Sequence, residues 1–244
     1  LLVAPVKESG EAPIWAGELP PVPREVAEEV GRLRRSAAIE IGVLPDENEC
    51  LPFSSYPLSE IAAETIVSSV AEHLDATGVL PDNKTMTVED RDGTIVLNTC
   101  CGSKINETLA HFIQAMGSML QGKMGRALVD PYRISFQVPG MTASNVIEWL
   151  QETPSNALPS ILRMTIPNGL AVRWRVVQVA RRMGVLAKGV DPRKVNLEGL
   201  MERYRGTPVI EESLDKLFHE RMDIDATVDV MRKIQNGAVE VYHT

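Results

Sequence analysis

Between residues 105 and 120 the chain sets Ile105, Leu109, Ile113, Met116 and Leu120 at helical spacing, so one face of the helix is apolar from end to end. Glu107, His111, Gln114 and Ser118 form the polar stripe opposite. Two pairs of alternating segments flank it: 85–89 with 94–99 around Asp92-Gly93, and 126–129 with 133–138 around Asp130-Pro131. Asp-Gly between alternating runs is a strong hairpin signal. A helix this apolar must bury itself, and two neighbouring hairpins supply the sheet to bury it against. The middle of the chain is therefore expected to fold as β-β-α-β-β, antiparallel and locally connected, with those five apolar residues in the core.

Upstream, residues 1–6 and 14–19 are expected as strands around a Ser9-Gly10 turn. Pro23 opens a helix reaching about residue 37. Its acids Glu25, Glu28 and Glu29 come early and its arginines Arg32, Arg34 and Arg35 late, which suits the helix dipole and asks for no functional role. Residues 40–57 carry three prolines and read as loop, and a helix over 58–74 ends before Gly78. After Gly140 the pattern turns helical, over 143–152, 157–165, 168–184, 196–205, 208–221 and 224–236, with one strand at 239–242. Thr207-Pro208 is a cap followed by a first-turn proline. The class is α+β: an antiparallel sheet with packed helices over 1–140, followed by a mostly helical part over 141–244.

With 244 residues, 44% of them hydrophobic and 24% charged, the chain has ample material for a core. No run of 18 apolar residues occurs, so no membrane partner is expected. The opening L-L-V-A-P-V-K-E has no starting methionine, basic n-region or cleavage site; it reads as no signal peptide and as a strand cut from something larger. Three cysteines, Cys50, Cys100 and Cys101, are an odd count that fits a reducing, cytoplasmic setting. The four histidines are scattered, and no metal site is expected.

Nucleotide and hydrolytic chemistry find no support. A P-loop needs a lysine followed by Ser or Thr, whereas Gly122-Lys123 is followed by Met124. Asp46-Glu47-Asn48-Glu49 follows Pro45 rather than a hydrophobic strand, a coincidental helicase-box match. No G-x-S-x-G elbow or base-flanked cysteine appears. Glu107 and His111, four apart, belong to the solvated stripe of their helix.

Charge is the informative feature. The net charge is −8, yet residues 173–194 hold seven basic side chains against Asp191 alone, and residues 211–229 hold seven acids against Lys216 and Arg221. In R-W-R-V-V-Q-V-A-R-R-M-G, residues 173–184, Val172, Val176, Val179, Ala180 and Met183 share a core face, and Trp174 falls on the charged side among Arg173, Arg175, Arg181 and Arg182. Trp174 there suits base stacking with guanidinium groups on phosphates. It equally suits packing on a neighbouring helix or domain, with the arginines paired to acids after Glu211. Trp15, between proline and glycine, is the rival stacking aromatic. At C-C-G-S-K-I-N-E, residues 100–107, Gly102 permits a turn, Ser103 can cap, and Lys104 stands by the first-turn amides. That is either a phosphate seat or capping alone.

Five stretches together resemble a family: A-P-I-W-A-G-E-L-P-P-V-P-R-E-V-A-E-E-V-G-R-L-R-R, N-T-C-C-G-S-K-I-N-E-T-L, V-D-P-Y-R-I, the Trp174 helix, and Y-R-G-T-P-V-I-E-E-S-L. The chain resembles the C-terminal accessory domain of the archaeal large helicase-related (Lhr) proteins, often called DEAD/DEAH-box-helicase-associated, over nearly its whole length. The resemblance implies one accessory domain of a superfamily 2 enzyme that unwinds DNA 3′ to 5′. Its RecA-like motor and winged-helix domains would lie elsewhere in the polypeptide. ATP and Mg2+ are then expected for the parent helicase, and no cofactor in this chain. The implied partner is single-stranded DNA or a DNA/RNA duplex, with Trp15 or Trp174 stacking a base. Lys104, Arg133, Arg173, Arg175, Arg181 and Arg182 would hold phosphates. Relatives often carry an aromatic where Cys101 stands, so no chemistry is drawn from that thiol. The alternative is a docking domain that packs on the motor without touching nucleic acid.

Overall fold

The computed structural model describes residues 20–45, 50–122, 125–166, 170–187, 189–191 and 195–244, apart from the side chains at 170, 171, 173 and 174. The strands expected at 1–6 and 14–19, Trp15, and the side chains of Arg173 and Trp174 lie outside that description.

Helix α1 (Arg24–Glu40) starts directly after Pro23, and its early acids meet its own basic residues, Arg24 with Glu28 and Arg32 with Glu29, each at 2.7 Å. Ala27, Gly31, Ala37 and Ala38 are buried, and the absence of a side chain at Gly31 lets α1 lie against the Asn83 backbone. A Cβ there would stand 2.6 Å from the Asn83 amide nitrogen. Helix α2 (Glu60–Thr77) is capped by Ser59 and ended by Gly78, whose φ of 74° is left-handed. Between them α1 and α2 enclose a small apolar cluster of Ala37, Ala38, Phe53, Val70 and Leu80.

The sheet comprises β1 (Thr85–Arg91), β2 (Thr94–Asn98), β3 (Arg126–Val129), β4 (Arg133–Gln137) and β5 (Glu240–His243), in the order β3-β4-β2-β1-β5. Both expected hairpins form, with Arg91 opposite Thr94 and Val129 opposite Ile134, and β2 pairs antiparallel with β4. The sheet is not wholly antiparallel: β5 lies parallel to β1, with Met86 opposite Val241. The strand that follows the helical stretch thus returns to the sheet of the front half.

Helix α3 (Ser103–Gln121) buries Ile105, Leu109, Phe112 and Ile113, with Met116 partly buried against the same core. Leu120, expected inside, is 63% exposed. The last turn of α3, next to its Gly122 cap, runs beyond the packed layer. Six helices follow: α4 (Ala143–Glu152), α5 (Leu158–Thr165), α6 (Leu170–Arg182), α7 (Leu197–Arg203), α8 (Pro208–Arg221) and α9 (Ile224–Gln235). Thr142 and Asn145 form a reciprocal capping box at the start of α4. On α6, Val172, Val176, Val179 and Ala180 are buried, but Met183 is 42% exposed because α6 stops one residue before it. One apolar core runs from Met86 and Phe136 through Trp149, Leu162 and Val176 to Leu217 and Ile234, so the sheet and the C-terminal helices share an interior. The fold is α+β.

Candidate nucleic-acid interface

The basic stretch of α6 and the acidic stretch of α8 face each other. The two helices pack through Val172 and Val176 on one side and Leu214 and Leu217 on the other, all buried. Their charged side chains therefore meet along the rim of that contact. Arg175 reaches Glu220 at 3.2 Å and Arg182 reaches Glu212 at 2.5 Å, a pairing that sets the helices antiparallel. From α5, Arg163 lies 3.7 Å from Glu211 and 3.6 Å from Asp215, with its guanidinium 5.5 Å from the centre of the Phe218 ring. Arg163 carries no distinguishing signal in the sequence, because its role depends on α5 packing beside α8. Arg181 donates to the Val190 carbonyl. Arg175 and Arg182 are thus paired with acids after Glu211, one of the two arrangements the sequence allowed for them, whereas Arg181 bonds a backbone carbonyl.

The start of α3 is built differently from a bare phosphate seat. The Ser103 amide donates to the Val22 carbonyl at 3.0 Å, and its hydroxyl accepts from the Val22 amide at 2.9 Å. Gly102, at φ 84° and ψ 171°, leaves room for this approach: a Cβ on it would stand 2.9 Å from the Val22 oxygen. The Lys104 ammonium donates to the His219 carbonyl near the end of α8 at 3.0 Å. Lys104 also lines a pocket of about 360 Å³ together with Val22, Arg24, Ile105, Asp223 and Ala226. Helices α1, α3 and α9 all begin beside it. Asp223 caps α9, accepting from the Ala226 amide at 3.0 Å.

Arg133 sits at the β3–β4 turn. Its Nε donates to Asp130 at 2.6 Å, and the other Asp130 oxygen accepts from the amides of Tyr132 and Arg133 at 2.8 and 2.9 Å. That turn touches the start of α3, where the Gly102 amide donates to the Pro131 carbonyl at 3.0 Å. Contacts thus tie together the elements that carry Arg133, Lys104 and Arg175, in part through backbone, while Arg182 is held separately by Glu212. Arg133 leads through Pro131 and Gly102 to Lys104. Lys104 leads through His219 and its neighbour Glu220 to Arg175, and α6 carries on to Arg182.

The two buried thiols, Cys100 and Cys101, are poor nucleophiles. Burial pushes Cys100 up to about 11 and Cys101 up to about 12, so both are neutral near pH 7. Among the described residues no group of three or more His, Cys, Asp or Glu side chains stands together as a metal site. No described helix is long and apolar enough to cross a membrane.

The family model of the DEAD/H associated proteins matches residues 80–244. The ATP-dependent helicase Lhr-Core of Sulfolobus acidocaldarius is 25% identical over 247 residues, and that of Saccharolobus solfataricus is 22% identical over 249. Each match covers 94% of this chain but only 28% of the relative, so the chain spans little more than a quarter of their length. Its fold is shared with part of the Mycobacterium smegmatis helicase Lhr, in a structure bound to ssDNA and AMP-PNP. That match has a TM-score of 0.70 over 98% of this chain and 32% of that one, at 16% identity. The family match takes in the sheet, α3 and every helix after it, and the curated relatives extend it to nearly the whole chain: this protein belongs to the DEAD/H-associated family, as a helicase-associated domain of Lhr type.

Proposed function

We propose that the chain is the gripping accessory domain of an ATP-dependent 3′–5′ DNA helicase of Lhr type. It holds the single-stranded tracking strand while RecA-like motor domains, with ATP and Mg2+, and a winged helix act elsewhere in the same polypeptide. The observation that carries this reading is the set of contacts around Arg133, Lys104, Arg175 and Arg182. That these contacts tie together the elements carrying the cations, β4, α3 and α6, supports their acting on one strand of phosphates. Trp15 or Trp174 supplies the stacking platform, at about 1–3 kcal/mol per base. A hold outside the motor limits slippage between ATP steps. The structure of the M. smegmatis relative with ssDNA supports single-stranded DNA as the ligand.

A docking role is the second reading, favoured by the ion pairs that already occupy Arg175 and Arg182. Unwinding and ATPase rates of the intact protein carrying Trp15→Ala, Trp174→Ala or Arg182→Gln separate the two. Gripping predicts slower unwinding with ATPase retained. It also predicts single-strand affinity that falls with salt, the log–log slope shrinking by about 0.7 for each phosphate contact removed. Wild-type unwinding in both tryptophan variants eliminates stacking. An unchanged salt slope in Arg182→Gln leaves the docking role.

A further inference from the structure

Helix α8 presents carboxylates at the spacing its neighbours' guanidinium groups demand. Glu212 and Glu220 meet Arg182 and Arg175 of α6, and Glu211 and Asp215 meet Arg163 of α5. Two different helices thus present three arginines to separate flanks of α8: at about 100° per residue, Glu211 and Asp215 lie on one side of the helix and Glu220 on the other, with Glu212 between. Each carboxylate offers a single negative charge to an arginine, as one phosphate of a strand would. Arg175 shows only 16% of its side chain, with Glu220 against it, so a phosphate reaches it only where Glu220 gives way. Arg182 and Glu212 are 58% and 47% exposed, and exposed pairs of this kind contribute little. Guanidinium binds phosphate with two parallel hydrogen bonds at least as well as it binds carboxylate.

We propose that α8 is an internal competitor for nucleic acid: its carboxylates hold the arginines of α5 and α6 in the unbound protein and yield them to phosphates on binding. The occupant that displaces them is a single-stranded nucleic-acid backbone. The inference rests on the gripping role above, and it adds that the grip is self-limiting. Its consequence is a net −8 chain that keeps its cationic surface neutralised until a strand of phosphates outcompetes α8.

The test is single-strand affinity of the intact protein for a fluorescent oligonucleotide, by anisotropy across a salt series. Glu212→Gln/Glu220→Gln is compared with Glu148→Gln/Glu152→Gln, which removes the same charge from the exposed side of α4. Competition predicts roughly two- to tenfold tighter binding in the first pair, the worth of the exposed Arg182–Glu212 pair and the half-buried Arg175–Glu220 pair together, and a clearly smaller gain in the second. Equal gains overturn the proposal, because they reflect net charge alone. Arg175→Gln/Arg182→Gln tells the two ideas apart. If it weakens binding while the α8 variant matches its control, the grip stands and the competition falls; if it changes nothing, both fall. Should the double α8 variant fold poorly, Glu212→Gln alone, at the more exposed pair, is set against Glu152→Gln with the same two outcomes.

Discussion

Gly102 offers the sharpest check on how the start of α3 is assembled. Its φ of 84° and ψ of 171° fall where side-chain-bearing residues are nearly absent, and placing alanine there costs about 1–3 kcal/mol. The new methyl would also stand 2.9 Å from the Val22 carbonyl oxygen and 3.1 Å from the Arg24 nitrogen. To clear it, the 21–24 segment must move, loosening both Val22–Ser103 hydrogen bonds at about 1 kcal/mol each. Gly102→Ala is therefore expected to destabilise by about 3–5 kcal/mol. The comparison is Gly78→Ala, also at positive φ, 74°, but with nothing within 4 Å of the added atom. It is expected to cost about 1–2 kcal/mol, from backbone strain alone. Urea denaturation of the two variants, with hydrogen exchange at the Ser103 amide, measures the difference. Equal costs at the two glycines would refute the close approach of the 21–24 segment to α3.

The remaining expectations concern buried polar groups. Asn106, fully buried, accepts from Thr99 Oγ1 at 2.8 Å and donates to the Asp130 carbonyl at 2.9 Å. Asn106→Ala leaves both partners unsatisfied and should cost about 2–4 kcal/mol in a denaturation midpoint. Thr99→Val in the same background should add much less than it does alone, and full additivity would deny the contact. Cys100 and Cys101, held protonated by burial, should resist a thiol reagent at pH 8 until the protein unfolds, while half-buried Cys50 labels first. The sign of their pH effect follows from folded values of about 11 and about 12 against an ordinary 9.0. The unfolded thiols ionise as pH rises past about 9 and the folded ones do not, so stability falls between about pH 9 and 12. Cys100→Ala should flatten part of that decline in a pH series of urea midpoints; an unchanged slope would contradict it.

Elements with a local signal were legible in advance. Thr207-Pro208 fixes where α8 begins, and its range, Pro208–Arg221, is the one expected; α4 also spans the expected 143–152, and the structure shows its start held by a Thr142 cap. The hairpin at Asp92-Gly93 is likewise short-range chemistry. What escaped was non-local. The pairing of Met86 with Val241 joins residues separated by most of the fold, and nothing around Val241 announces a parallel neighbour. Leu120 and Met183 continue their apolar stripes beyond the points where packing ends, since a periodic pattern records which face is apolar but not how far the neighbouring layer extends. Among the candidate site residues, charge density pointed to the arginines of α6 and to the acids after Glu211 as possible partners, but which carboxylate meets which arginine became identifiable only once α8 lay antiparallel beside them.

The stretches that carry the family resemblance have a physical role that explains their mutual order. N-T-C-C-G-S-K-I-N and V-D-P-Y-R-I hold each other: Thr99 donates its amide to the Tyr132 carbonyl at 2.7 Å, Gly102 donates to Pro131, and Asn106 bonds Asp130. The end of the proline-rich segment before α1 then closes on Ser103. These are joints, and a joint constrains sequence without naming a ligand. Any ligand is read by what the joints place at the surface. They tie the Arg133 turn to the start of α3, and Lys104 from that start reaches the end of α8, where Glu220 holds Arg175. A side chain such as Arg133, itself tied to Asp130 at 2.6 Å, is held in a fixed direction rather than left mobile, which lowers the entropy lost when it meets a phosphate. Under the gripping reading Arg133 differs from the α6 arginines, whose α8 partners must yield: its Asp130 partner, itself fixed by two backbone amides, would stay in place and pre-orient it for a strand. It follows that neutralising Asp130 should weaken single-strand binding, although removing a negative charge would by itself strengthen it. Tighter binding by Asp130→Asn would show that pre-orientation counts for less than net charge.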